Sequence, residues 1–221
     1  LKAGGNAIDA AIATQLVLNL VEPQSSGIGG GGFLLLFDPE QNALTSFDGR
    51  ETAPAKADST LFIKEDGTKM GFFEAAVGGR SVGAPGLLHM LKQAHRKYGR
   101  IDWEVLFNDA INLAEHGFKV SERLHKLIRA DRFLKTDPTA RTYFYDKDAM
   151  AHPVGYLLKN PEFANTLRQI QNGGIESFYI GQIGDRIVNK VQNHPSNPGL
   201  LSSDDLLLYR SVERDPVCLD Y

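Results

Sequence analysis

Cysteine is nearly absent: with a single Cys218 in 221 residues, no internal disulfide can hold this fold together. Paired cysteines at zinc-ligand spacing are missing as well. The six histidines (His89, His95, His116, His125, His152, His194) form neither a His-Glu-x-x-His motif nor any i, i+4 pair, so the pattern offers no metal site. No stretch approaches the roughly 20 apolar residues that span a bilayer. No basic region followed by an apolar run marks a signal peptide, although the chain starts at Leu1 and not at methionine. An excess of positive charge is lacking too. The 24 Lys and Arg against 27 Asp and Glu give a net charge of -3, and no run of basic residues marks a nucleic-acid partner.

What is present is ordinary globular material, 42% hydrophobic and 23% charged, enough for a single domain over residues 1–221 with a substantial core. Leu1 to Gly5 read as the tail of a helix stopped by glycine, after which Asn6 caps a new helix with Asp9 in its first turn. Ala7 to Leu20 carry apolar residues around most of the helical circumference, the mark of a helix buried on several sides, and Pro23 ends it. Further helices are expected from Pro85 to Gly99, from Trp103 to Glu115 behind Asp102, and through Leu124 and Ile128 behind Ser121. Two more are expected, from Pro161 to Gly173 and around Ile183 to Val191. Asp137 to Gly155 lacks a sustained period and reads as an ordered surface excursion. Ser211 to Arg214 reads as a strand, and both chain ends read as cuts within a larger fold.

Gly27 to Pro54 carry the most information. A glycine-dense loop (Gly27 to Gly32) leads into the apolar run Phe33 to Phe37, a polar turn, a second short strand, and then Asp48-Gly49-Arg50-Glu51. If the two strands pair as a hairpin through Asp38 to Asn42, the start of the first lies beside the end of the second. The glycine loop and Arg50 then share one end of a sheet. Bare backbone beside a guanidinium that can grip a carboxylate with two parallel hydrogen bonds makes an anion-recognition corner. The plainer alternatives are glycines that serve a left-handed turn and close packing, and an Arg50 that forms a surface ion pair with Glu51 or Asp48 worth at most about 1 kcal/mol. A charge-assisted bond to a ligand carboxylate would instead contribute about 1.5 to 3 kcal/mol.

Rival chemistry finds little support. Gly27, Gly29 and Gly32 satisfy G-x-G-x-x-G, but a dinucleotide site needs a strand before the loop and a helix after it, and here that order is reversed. Cys218 has Asp215 and Asp220 near it in sequence, which disfavours a reactive thiolate, and no G-x-S-x-G elbow occurs. Residue chemistry alone therefore describes recognition of an anion without a visible nucleophile.

The segments Gly4-Gly5-Asn6-Ala7-Ile8-Asp9-Ala10-Ala11, Glu22-Pro23-Gln24-Ser25-Ser26-Gly27-Ile28-Gly29-Gly30-Gly31-Gly32-Phe33 and Arg50-Glu51-Thr52-Ala53-Pro54-Ala55 closely resemble the large subunit of gamma-glutamyltranspeptidases. The likeness continues through Ser81 to Gly86, Ala114 to Phe118 and Val212 to Arg214. It implies an α+β fold, a helix-rich and incomplete part of the four-layer αββα sandwich of N-terminal-nucleophile hydrolases. It also implies a precursor that cleaves itself, so that a new amino-terminal threonine on the small subunit attacks a gamma-glutamyl amide. A free amine beside the hydroxyl serves as its base. On this resemblance Arg50 binds the donor's alpha-carboxylate, Glu51 orients the guanidinium, and no catalytic residue lies in this chain. The partners implied are the small subunit and a gamma-glutamyl compound such as glutathione, with no cofactor or metal and a periplasmic or extracellular setting. Alternative readings are a related acylase of the cephalosporin type, a capsule transpeptidase, or a non-catalytic carboxylate-binding module.

Overall fold

A computed structural model describes residues 1–219; Asp220 and Tyr221, which enter the reading of Cys218 and of the chain end, lie outside the described residues. In chain order the elements are α1 (Ala7–Val21), β1 (Gly32–Asp38), β2 (Ala43–Gly49), α2 (Phe72–Ala76), α3 (Leu87–Tyr98), α4 (Asn108–His116), β3 (Phe118–Lys119), α5 (Glu122–Ala130), α6 (Pro138–Phe144), β4 (Leu157–Leu158), α7 (Pro161–Gly173), α8 (Glu176–Tyr179), α9 (Gln182–Gln192), α10 (Ser203–Leu208) and β5 (Val212–Arg214). The chain divides into two compact units, each made of two separated segments. The first combines residues 1–27 with 100–172, and the second combines 28–99 with the chain from Gly173 onward.

In the first unit, α1 begins where the Asn6 side chain accepts the N–H groups of Ile8 and Asp9, while the Asp9 carboxylate accepts the Asn6 N–H at 2.8 Å. Three of the four donors orphaned at a helix start are thereby satisfied. Asp9 is buried, and its carboxylate also takes the Arg100 N–H. Residues 1–5 form a turn with Gly4 at φ +90°, not the tail of a helix. The helix buries Ile8, Ile12, Leu16 and Leu20 against α4 and a 3-10 turn, Trp103–Phe107. That turn replaces the first part of the expected continuous helix. Its tighter winding sets Trp103 and Leu106, three apart, on one buried side, and the Asp102 side chain makes no cap.

Ser121 caps α5 through the Leu124 N–H, and Asn160 accepts the Phe163 N–H at the start of α7, both as the residue types predict. The segment read as an ordered surface excursion contains α6, capped by Asp137 with Pro138 in its first turn. Two helical turns are too brief to leave a sustained period in the sequence, although the Asp-Pro pair is a start signal. His152 is buried and stacks on Tyr156 with ring centres 3.9 Å apart.

In the second unit β1 and β2 pair antiparallel in the register Gly32↔Gly49 to Asp38↔Ala43, and β5 pairs with the other side of β2, giving the order β1-β2-β5. One face packs on α3: Phe47 is fully buried, with the Tyr98 ring edge-on at 6.3 Å. The opposite face leaves Phe33, Leu35 and Phe37 more than half exposed. Helix α3 buries Leu87, Leu88, Met90, Leu91 and Ala94. It starts at Leu87 behind Gly86, so Pro85 stands before the helix and not in its first turn; the Pro85 carbonyl instead accepts the Tyr179 hydroxyl at 2.9 Å.

A candidate carboxylate-binding corner

The hairpin register sets Gly32 opposite Gly49, so the glycine loop meets Arg50 at one end of the sheet, as the strand pairing requires. The Gly30 carbonyl accepts the N–H groups of both Gly86 and Leu87 at 3.0 Å, which fastens the loop to the start of α3. Beyond Arg50, Thr52 and Ala84 exchange both backbone hydrogen bonds. Three pieces of chain distant in sequence thus close around one residue.

Close approach, not handedness, explains Gly31. None of Gly27 to Gly32 has a positive φ, so the left-handed turn expected of them is absent. At Gly31 a side chain would begin 2.5 Å from the Gly49 carbonyl and 2.7 Å from Glu51 Oε2, which no Cβ tolerates. Gly86 is tighter still, hemmed by the Tyr209 hydroxyl and the Gly49 carbonyl. Gly29, in contrast, is exposed, and a Cβ there would meet nothing within 4 Å. The loop therefore presents open main chain to solvent while its neighbour is locked.

The main chain of Arg50 is held from both sides. Its N–H donates to Asp48 Oδ1 at 3.0 Å, and its carbonyl accepts the Tyr209 hydroxyl at 2.8 Å. Asp48 Oδ2 takes the Arg214 guanidinium at 2.8 Å. The Arg50 N–H and then Arg214 hold the Asp48 carboxyl below the usual carboxylate range. Tyr209 is buried, and desolvation together with the charges of Asp48 and Glu51 pushes its hydroxyl up to about 12, so it is a neutral donor at any ordinary pH. Its ring lies parallel to that of Tyr179, and His89 meets both edge-on.

The side chain itself is far less constrained. Arg50 Nη1 lies 3.1 Å from Glu51 Oε2, but that buried oxygen has no aligned hydrogen-bond donor, and 57% of the Arg50 side chain is exposed. The contact is a charge pair worth about 1 kcal/mol or less, because solvent screens it. A planar fork with most of its donors facing solvent, on a fixed backbone, can take a carboxylate bidentately. So the ion pair foreseen as the plain alternative for Arg50 is present, and it leaves the guanidinium mostly open.

The structure brings together the glycine loop, Arg50, Glu51, Pro85-Gly86 and β5, all singled out in the sequence. It adds Tyr209, which nothing local in Asp204-Asp205-Leu206-Leu207-Leu208-Tyr209 signals, since its partner lies 159 positions earlier. Cys218 is exposed and forms no part of this corner. Among the described residues no group of three or more His, Cys, Asp or Glu converges to hold a metal ion. No helix among them is long and apolar enough to cross a membrane.

Comparison with known proteins adds the family context. Residues 1–221 match the family model described as gamma-glutamyltranspeptidase. The glutathione hydrolase proenzyme of Bacillus subtilis is 36% identical over 221 residues, which cover 100% of this chain and 37% of that protein. The crystal structure of Helicobacter pylori gamma-glutamyltranspeptidase superposes with a TM-score of 0.93 at 31% identity, covering 100% of this chain and 62% of that one. A cephalosporin acylase from Bacillus halodurans gives a TM-score of 0.85 at 31% identity, with 100% and 41% covered. The chain thus spans roughly a third of the length of the curated relatives it matches.

Proposed function

This chain belongs to the gamma-glutamyltranspeptidase family and carries a helix-rich part of the α+β N-terminal-nucleophile hydrolase fold, and from that premise we propose that it forms the donor-holding part of a gamma-glutamyl transferase and hydrolase. The observation that carries the proposal is the open Arg50 guanidinium on a main chain pinned by Asp48 and Tyr209, next to the exposed backbone of Gly29. In this reading Arg50 receives the alpha-carboxylate of a gamma-glutamyl donor such as glutathione. Glu51 limits the swing of the guanidinium, and the nucleophilic threonine comes from a small subunit of the same precursor. Support for such a partner comes from the sheet: Phe33, Leu35 and Phe37 present an apolar face on edge strand β1, the kind of surface a soluble protein covers.

The test is Arg50→Lys in the full-length protein. A lysine is a point charge and cannot reproduce the planar fork. Loss of a charge-assisted pair worth about 1.5 to 3 kcal/mol predicts a kcat/KM for glutathione lowered by about 10- to 100-fold. Unchanged kinetics would remove Arg50 from the site. For the partner, Leu35→Asp should leave the folding of this region intact, since the side chain is exposed, and should block subunit assembly; normal assembly and maturation would rule that face out.

Similarity to the cephalosporin acylase supports a second reading, in which the same corner receives the carboxylate of a different amide substrate. Comparing glutathione with acyl-lactam and polyglutamate substrates separates the two.

A further inference from the structure

A histidine stands behind the contacts that hold Arg50. The Tyr209 hydroxyl that supports the Arg50 carbonyl comes from the chain between α10 and β5, and two residues further on Ser211 is buried. His89 and Gln93 of α3 are one helical turn apart, so their side chains share a face of the helix. Both reach Ser211: its N–H donates to His89 Nδ1 at 3.2 Å, and its Oγ lies 2.7 Å from Nδ1 and 2.6 Å from Gln93 Oε1. The hydroxyl has one proton for these two acceptors, whereas the N–H is committed to Nδ1.

The His89 ring also meets Tyr209 directly, edge-on with centres 5.9 Å apart, and meets Tyr179 in the same way at 6.2 Å. Tyr179 completes the frame: its hydroxyl accepts the His89 N–H at 3.3 Å, one of the donors left over in the first turn of α3, and donates to the Pro85 carbonyl at 2.9 Å. Two Ser211 donors converge on Nδ1, so the neutral ring keeps its proton on Nε2. Protonation places a second proton on Nδ1. That N–H can still meet Ser211 Oγ, whose own proton then goes to Gln93, but the Ser211 main-chain N–H loses its acceptor, a costly state for a buried donor. The charged groups around the ring are Lys92, Arg96 and Lys97 of its own helix, with Lys97 paired to Glu213, then Arg210 before β5 and Glu176 of α8. Burial and then Arg210 and Arg96 hold the His89 pKa below its ordinary 6.5, against the pull of Glu176, so the ring is neutral at neutral pH.

We propose that His89 is a positioning residue for the donor corner: its unprotonated Nδ1 holds Ser211, and through Ser211 and its own ring it keeps Tyr209 against the Arg50 carbonyl, so that acid loosens the site. This rests on the donor-holding role given to Arg50 above. His89 acts through Tyr209 and does not itself touch the donor.

The test is steady-state kinetics of the full-length protein with glutathione, joined to hydrogen exchange. His89→Phe keeps an aromatic ring beside the two tyrosines but removes the acceptor; it should raise the donor KM about 3- to 10-fold, the loss expected for one hydrogen bond, with kcat unchanged. His89→Asn, whose Oδ1 takes the place of Nδ1, should bring KM back toward the wild-type value. Adding His89→Phe to Tyr209→Phe should raise KM no further than the stronger single change, because both act on one hydrogen bond. With a folded pKa below the ordinary 6.5, the hold is complete above 6.5 and is lost as pH falls through the lower folded value, so the wild-type KM should rise over that range while that of His89→Asn stays level. Exchange at the Ser211 amide involves no donor: its protection should be lower in His89→Phe and should decline in the wild type over the same acid range. Full Ser211 protection in His89→Phe, additive effects with Tyr209→Phe, or an unchanged KM in His89→Phe while Arg50→Lys raises it, overturns the proposal. Failure of the Arg50 reading shows separately, as unchanged kinetics in Arg50→Lys.

Discussion

The Arg50 corner and a cleft lined by His89, Lys92, Arg96 and Arg210 are both cationic regions of one compact unit, yet they are held in opposite ways. At Arg50 the main chain is locked, by Asp48 on its N–H, Tyr209 on its carbonyl and Gly31 and Gly86 too close for any Cβ, while the side chain is left open. In the cleft a regular helix supplies side chains at fixed spacing, and the precision comes from α3 itself and from Arg210 tied to two carbonyls. A site of the first kind is sensitive to changes in residues that never touch a ligand. A helix face of the second kind responds mainly to changes in the charged groups themselves.

Gly86→Ala should break the corner most severely, since the new methyl meets the Tyr209 hydroxyl and the Gly49 carbonyl and neither can step aside. A cost near 3 kcal/mol, the upper end for overpacking, should appear as a lowered Tm, whereas Gly29→Ala, facing open space, should stay within about 0.5 kcal/mol. Equal effects at the two glycines would contradict the account of a locked backbone.

Tyr209→Phe comes next. It strips one hydrogen bond from the Arg50 carbonyl and should cost about 1 to 2 kcal/mol, with a raised donor KM and an unchanged kcat in the full-length protein. It also carries a pH signature. The folded hydroxyl titrates near 12, above its ordinary value of 10.0, so its contribution to stability is complete below about pH 10 and is lost as pH rises toward 12. Unfolding measured across that window should show a steeper alkaline loss in the wild type than in Tyr209→Phe. Parallel curves would mean that the hydroxyl is not buried as described.

Glu51→Gln should have the smallest effect, at most about 1 kcal/mol of stability, because its partner is mostly in water. A large loss would show that Glu51 holds more than its charge contact with Arg50.

How much of this was legible beforehand depended on the range of the interaction. Helix starts were readable because caps act over three residues: Asn6, Ser121 and Asn160 each bind an N–H two or three positions on. The meeting of the glycine loop with Arg50 was readable because an antiparallel hairpin leaves no other arrangement. Short elements were not, since α6, α8 and α10 run for two turns or fewer and leave no hydrophobic period. The cleft was invisible in a chain of net charge -3 with no basic run, because its cations are interleaved with apolar residues along α3 and completed by Arg210.

By itself, then, the sequence determined the hairpin, the capped helices and the position of Arg50 at a strand end, all consequences of local hydrogen bonding and strand pairing. Only the tertiary structure decided that Tyr209 reaches back to the Arg50 carbonyl and that Ser211 meets His89 on α3. Such contacts form between segments more than 100 residues apart, where side-chain packing selects the partner and no short-range pattern records the choice.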